Sequence, residues 1–72
     1  MFGFQGGESA ETISRKRSYM QEAQKIWPFL TNFDCSVIKT AGQLAQMIKT
    51  RSATTIEKAR LDVDAWVLNK QF

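Results

Sequence analysis

Residues 42–59 read GQLAQMIKTRSATTIEKA, and the way this stretch folds decides the reading of the whole chain. Leu44, Ala45 and Ile48 recur at helical spacing, and a polar break at Thr50, Arg51 and Ser52 follows. Then TTIE, from Thr54 to Glu57, fits a capping box, in which a Thr hydroxyl and an acidic side chain each accept the other's backbone amide. The result is two helices joined at a tight corner. Such a corner is either a DNA-reading helix-turn-helix or a junction between two core helices.

The residues after the corner carry the least routine pattern in the chain. A helix is expected over 55–70, with Ile56, Ala59, Val63, Trp66 and Val67 on one apolar face. Leu61, Ala65, Leu68 and Phe72 form a second stripe on nearly the opposite side. A peripheral helix of a small domain needs only one apolar face. Either the N-terminal arm or the connection at Phe29 and Leu30 covers the second stripe, or it is a surface for self-association or a protein partner.

Upstream, a helix is expected over 32–49. Thr31 is its N-cap, Asp34 completes a capping-box-like arrangement, and Phe33, Val37, Ala41, Leu44, Ala45 and Ile48 share one side. A first helix is expected over 9–27, with Ser9 as N-cap, Glu11 in the first turn, and an apolar face of Tyr19, Met20, Ala23, Ile26 and Trp27. Pro28 lacks an amide donor and disfavours helix at Trp27, which ends it. The opening MFGFQGGE has three glycines and no periodicity, so residues 1–8 read as a flexible arm. The expected architecture is all-α: one domain over 9–72, a three-helix array or bundle, preceded by that arm.

At 72 residues the core is small, and such a chain is marginal unless it packs well, is stapled or associates. The single cysteine, Cys35, allows no intramolecular disulfide and no zinc cluster, and the simplest setting is reducing and cytoplasmic. With no His there is no Ser-His or Cys-His nucleophile pair. Asp62 and Asp64 sit two apart and diverge by ~200° on a helix, so they form neither a catalytic carboxylate pair nor a metal clamp. An enzyme is not expected, nor is a cofactor or a metal. No apolar run approaches the ~18 residues of a membrane span. The opening lacks the positive region and the apolar core of ~7 residues that mark a secretory signal.

A net charge of +3 is mildly basic. Arg51, Thr54, Thr55 and Lys58 are the residues that would touch DNA from the corner. However, Glu57, Asp62 and Asp64 cancel Lys58, Arg60 and Lys70 over residues 54–72, whereas a recognition helix works beside phosphates. The corner also lacks the glycine common in such turns. The triplet Arg15, Lys16 and Arg17 reads first as a solvated helix face and second as a contact for phosphate or an acidic partner. Cys35 lies near a helix N-terminus, which lowers thiol pKa values, yet a lone cysteine without His reads as a small inert side chain. Membrane-surface binding through the first helix is weaker still, because its apolar face is needed for the core.

From Trp27 onward the residues follow a longer pattern. Trp27, Leu30-Thr31, Asp34, Val37-Ile38, Gln43-Leu44, Ile48, Arg51, IEKA at 56–59, and Val63-Asp64 with Trp66 occur in that order. This resembles the CsbD-like family of small bacterial stress-induced proteins over about half of the chain, with one gap. The Lys/Gly-rich opening of that family is missing here, as is its acidic run after Leu-Thr, and Arg51-Ser52 stands where the family has Tyr-Gly. The resemblance implies a small, irregular helical array and a general association with stress, and it carries over no catalytic residues.

The leading expectation is a small non-catalytic helical protein that acts through protein–protein contact or self-association, as a homodimer or with a protein partner, through Leu61, Ala65, Leu68 and Phe72, with a stress link. The alternative is a helix-turn-helix-like DNA-binding regulator of phage or plasmid type, using Arg51, Thr54, Thr55 and Lys58.

Overall fold

A computed structural model describes residues 1–3 and 6–72. Four helices follow one another: α1 (Ala10–Ile26), α2 (Asn32–Val37), α3 (Ala41–Ser52) and α4 (Ile56–Val67). No strand occurs among the described residues. Among the described residues the all-α expectation holds, and the expected three helices are corrected to four.

The correction falls within 32–49, where one continuous helix was expected. The helix stops at Val37, Ile38 takes an extended conformation, and Thr40 caps a new helix. Thr40 Oγ1 accepts the Gln43 amide at 3.1 Å, and Gln43 Oε1 accepts the Lys39 and Thr40 amides at 2.6 and 3.2 Å. Thr40-Ala-Gly-Gln43 is thus a second capping box. It lies inside a stretch that looks periodic because Val37 and Ala41 happen to keep helical spacing. The break turns the two halves relative to each other. Cys35 and Ile38 enter the core with Leu44, Ala45 and Ile48, while Phe33 and Val37, expected inside, are exposed.

The remaining ends are set by local chemistry. Ser9 Oγ accepts the Thr12 amide at 3.1 Å and starts α1. The Trp27 amide still reaches Ala23 O at 2.7 Å before Pro28 ends the run. Thr31 and Asp34 form the capping box expected of α2. α3 continues past Lys49 to Ser52, and the Thr50 and Ser52 hydroxyls donate back to Gln46 O and Ile48 O within it. Ala53 then takes a left-handed conformation at φ 57° and closes α3 through its amide on Lys49 O. Thr55, not Thr54, caps α4, with its hydroxyl accepting the Lys58 amide. At the far end α4 stops at Val67 rather than 70. Asn69 turns the chain at φ 69°, a conformation Asn tolerates, and the Lys70 ammonium donates to Trp66 O.

The core gathers Ala23, Trp27, Leu30, Cys35, Ile38, Leu44, Ala45, Ile48, Ala59, Val63 and Trp66, with α3 packed along α4. Trp27 and Trp66 meet edge to face at 5.5 Å and tie the end of α1 to α4. Ile26, expected in the α1 face, is 52% exposed. The inner stripe runs instead through Lys16, Met20, Ala23 and Trp27, which keep helical spacing.

The start of the chain differs most from the flexible arm expected over 1–8. Phe2 is 3% exposed and belongs to the core, its ring 6.0 Å from Trp66 and 5.9 Å from Phe72. The Met1 ammonium donates to Ile38 O and Lys39 O at 3.0 and 3.1 Å, filling the carbonyls left open at the α2–α3 break. Phe4, the other aromatic residue of that arm, lies outside the described residues.

Candidate functional site

The second stripe of α4 is three residues long rather than four. Leu61 and Leu68 are 69% and 70% exposed, and Ala65 is exposed between them. Ile26 stands beside Ala65 at the rim of a shallow groove whose other walls are Trp27, Asp62 and Trp66. No segment of the described chain covers Leu61 or Leu68, neither the N-terminal residues nor the α1–α2 connection, whose Leu30 is buried elsewhere in the core. Phe72 does not join them. The turn at Asn69 carries it back to α1, where its ring packs 4.9 Å from Tyr19 and against Phe2 and Trp66. Four aromatic rings, Phe2, Tyr19, Trp66 and Phe72, thus close one end of the molecule, with the Lys70 ammonium 4.7 Å from the Trp66 ring.

Three of the four residues named for a nucleic-acid contact make contacts within the fold. An Arg51 guanidinium nitrogen donates to Asp34 Oδ1 at 2.9 Å, bridging α3 to the cap of α2. Lys58 pairs with Asp62 one turn on, at 2.8 Å to both carboxylate oxygens. Thr55 spends its hydroxyl on the α4 cap, and Thr54 is half-buried in the corner.

Asp34 is almost fully buried. The Arg51 hydrogen bond, and then the Thr31 amide, hold its carboxyl below the usual carboxylate range. Cys35 beside it is fully buried, and burial, with the Asp34 charge second, pushes its thiol up rather than down. The helix N-terminus does not activate it.

Two features were missed from the residues alone. Lys16, read as part of a solvated triplet, is 7% exposed, and its ammonium is held by Glu8 and by Gly3 O. Its position on the Met20, Ala23, Trp27 stripe was the available signal. The second feature is a cleft of about 640 Å³ between residues 1–3, α1 and α2, whose walls include Phe2, Lys16, Arg17, Met20, Ile38 and Lys39. It depends on the docking of Phe2 and on the α2–α3 break. No helix among the described residues is long and apolar enough to cross a membrane.

No protein-family model matches the chain, and neither a curated protein nor a solved structure matches it.

Proposed function

We propose that the protein is a small non-catalytic helical module that acts by protein–protein contact or self-association through the outer face of α4. The observation that carries this reading is the exposure of Leu61 and Leu68, about two thirds each, on either side of exposed Ala65, with Ile26 alongside. Leaving two leucines in water forgoes roughly 1.5–3 kcal/mol of burial apiece. A 72-residue domain, whose whole stability is about 4–11 kcal/mol, has strong reason to cover them.

The stress association rests on the CsbD-like resemblance. Most positions that carry it are structural in this fold: Trp27, Leu30, Ile38, Leu44, Ile48, Val63 and Trp66 are core, Thr31 is a cap, and Asp34 binds Arg51, while Val37, Glu57, Lys58 and Asp64 are exposed. The resemblance therefore bears on the framework and leaves the α4 face to distinguish this chain.

The DNA-binding reading keeps one point in its favour: α3 and α4 are joined by three residues with a left-handed Ala53 at the corner. Against it, Arg51 and Lys58 are each paired with a carboxylate.

Sedimentation over a wide concentration range tests the leading reading. A dimer that Leu68→Asp dissociates, or a purified partner complex that the same change abolishes, is the expected result. A strict monomer at high concentration, with all binding unchanged in Leu68→Asp, refutes it. Retention of duplex DNA at ~50 mM salt, lost steeply as salt rises, would favour the alternative.

A further inference from the structure

The net charge of this chain falls in one region. Of ten Lys and Arg residues and seven Asp and Glu residues, Arg15, Lys16, Arg17, Lys39 and Glu8 line two adjoining clefts that share Met1, Lys16 and Lys39. Those five side chains carry +3, the whole formal net charge, and the other six basic and six acidic residues cancel. The triplet on α1 accounts for three of the four cations. The fold adds Lys39, brought across by the α2–α3 break. The Met1 ammonium lies among them, and its pKa is pushed down by burial first and then by the positive charge of Lys16 and Lys39. The Lys16 charge is met by Glu8, whereas Lys39 is exposed and its ammonium has no hydrogen bond or ion pair among the described residues.

The larger cleft combines this charge with apolar walls. Met1, Gly3 and Met20 give it accessible apolar wall, Phe2 and Ile38 close it from the core side, Lys16, Arg17 and Lys39 stand beside them, and its volume of about 640 Å³ suits a small organic ligand. A concave site with one sign of charge and low-dielectric walls concentrates anions. An inorganic anion alone would leave the apolar walls unused, and a neutral apolar body would leave the Lys39 ammonium unused.

We propose that this cleft binds an anionic amphiphile, with a phosphate or carboxylate at Lys39 and a short alkyl chain against Met1 and Met20. The chemistry is the same whether the amphiphile comes as a free monomer or as a lipid within a bilayer. The site shares no residue with the exposed face of α4, so it stands or falls apart from the proposed association surface.

Amide NMR titration of the intact protein with octyl phosphate, octanoate, octyl glucoside and inorganic phosphate, each below micelle formation, tests the site. Saturable shifts at Gly3, Arg17, Ser36 and Lys39 are expected with the first two. Affinity should rise up to roughly fourfold per added methylene. Lys39→Glu should weaken it at least fivefold, with Lys39→Ala giving a smaller loss and both variants retaining the native far-UV spectrum. Equal binding of octyl glucoside, equal binding of inorganic phosphate, shifts confined to Leu61 and Leu68, or no saturable shift would each overturn the proposal. Flotation with vesicles of anionic phospholipid then separates the sources. Lys39-dependent flotation on these and not on zwitterionic vesicles assigns the ligand to a bilayer, and octyl phosphate binding without flotation assigns it to a free monomer.

Discussion

Phe2→Ala measures whether the start of the chain is part of the fold. In the structure Phe2 is 3% exposed and its ring meets both Trp66 and Phe72. Burial of a Phe side chain contributes roughly 1.5–3 kcal/mol, and each aromatic contact adds about 0.5–1.5 kcal/mol. The two hydrogen bonds from the Met1 ammonium contribute about 1 kcal/mol each. Opposing these, ordering the backbone of residues 1–3 costs about 1–2 kcal/mol per residue. The net docking free energy is therefore about 2 kcal/mol. Truncating an interior Phe costs about 3–5 kcal/mol because the cavity cannot be relieved. Here the segment can let go, so the loss is capped near its net docking value. The expected ΔΔG is about 2 kcal/mol, and at about 4–8 °C per kcal/mol for a domain of this size the midpoint falls by about 8–16 °C. Urea denaturation followed by far-UV circular dichroism gives the first number and a thermal melt the second. Phe2→Leu should recover more than half of the loss. A change below about 0.5 kcal/mol in Phe2→Ala would refute the reasoning, because it would mean that residues 1–3 do not dock.

Thr40→Ala removes the hydroxyl that accepts the Gln43 amide and should destabilise the protein by about 1 kcal/mol in the same urea assay, with an unchanged m-value. Asp34 titrates below its ordinary value in the folded state, so its contribution is fully present above the unfolded carboxylate value near pH 4 and is lost as pH falls through the lower, folded value. Stability measured from pH 6 downward should therefore decline across that acid window, and Asp34→Asn should flatten the decline. Cys35 is buried with a raised pKa, so the native thiol should react with an aromatic disulfide reagent at pH 8 far more slowly than the urea-unfolded chain. A native rate equal to the unfolded one would contradict that placement.

Much of the architecture was legible because caps and periodicity act within a few residues. Ser9, Thr31 and Pro28 end or begin helices through their own hydrogen bonds or through a missing donor, and the inner face of α4 follows the period that Ala59, Val63 and Trp66 keep. The α2–α3 break was written in the same language, as Thr40 and Gln43. It was masked because Val37 and Ala41 keep helical spacing across a kink that their spacing cannot register. Phe2 was unreadable for a different reason. Its burial depends on the Trp66 and Phe72 rings, which are distant in the chain, and no local rule tells an aromatic residue among glycines that such partners will be there.

The candidate surfaces divide along the same line. Leu61 and Ala65 lie on α4 and Leu68 is its C-cap, so their shared face is a matter of period, and Phe72 leaves that face because α4 ends at Val67. The cationic cleft is a tertiary object: Lys39 joins the α1 triplet through the break, and the docking of Phe2 places residues 1–3 along its wall. This separation gives the two surfaces opposite responses to one variable. Association through leucines on α4 buries apolar area and does not weaken when salt screens charge, whereas binding of an anion beside Lys39 acts over distances that ~0.15 M salt reduces to about 8 Å. Raising salt should leave self-association intact while amphiphile binding falls. If association fell together with amphiphile binding, the apolar account of the Leu61 and Leu68 surface would be overturned.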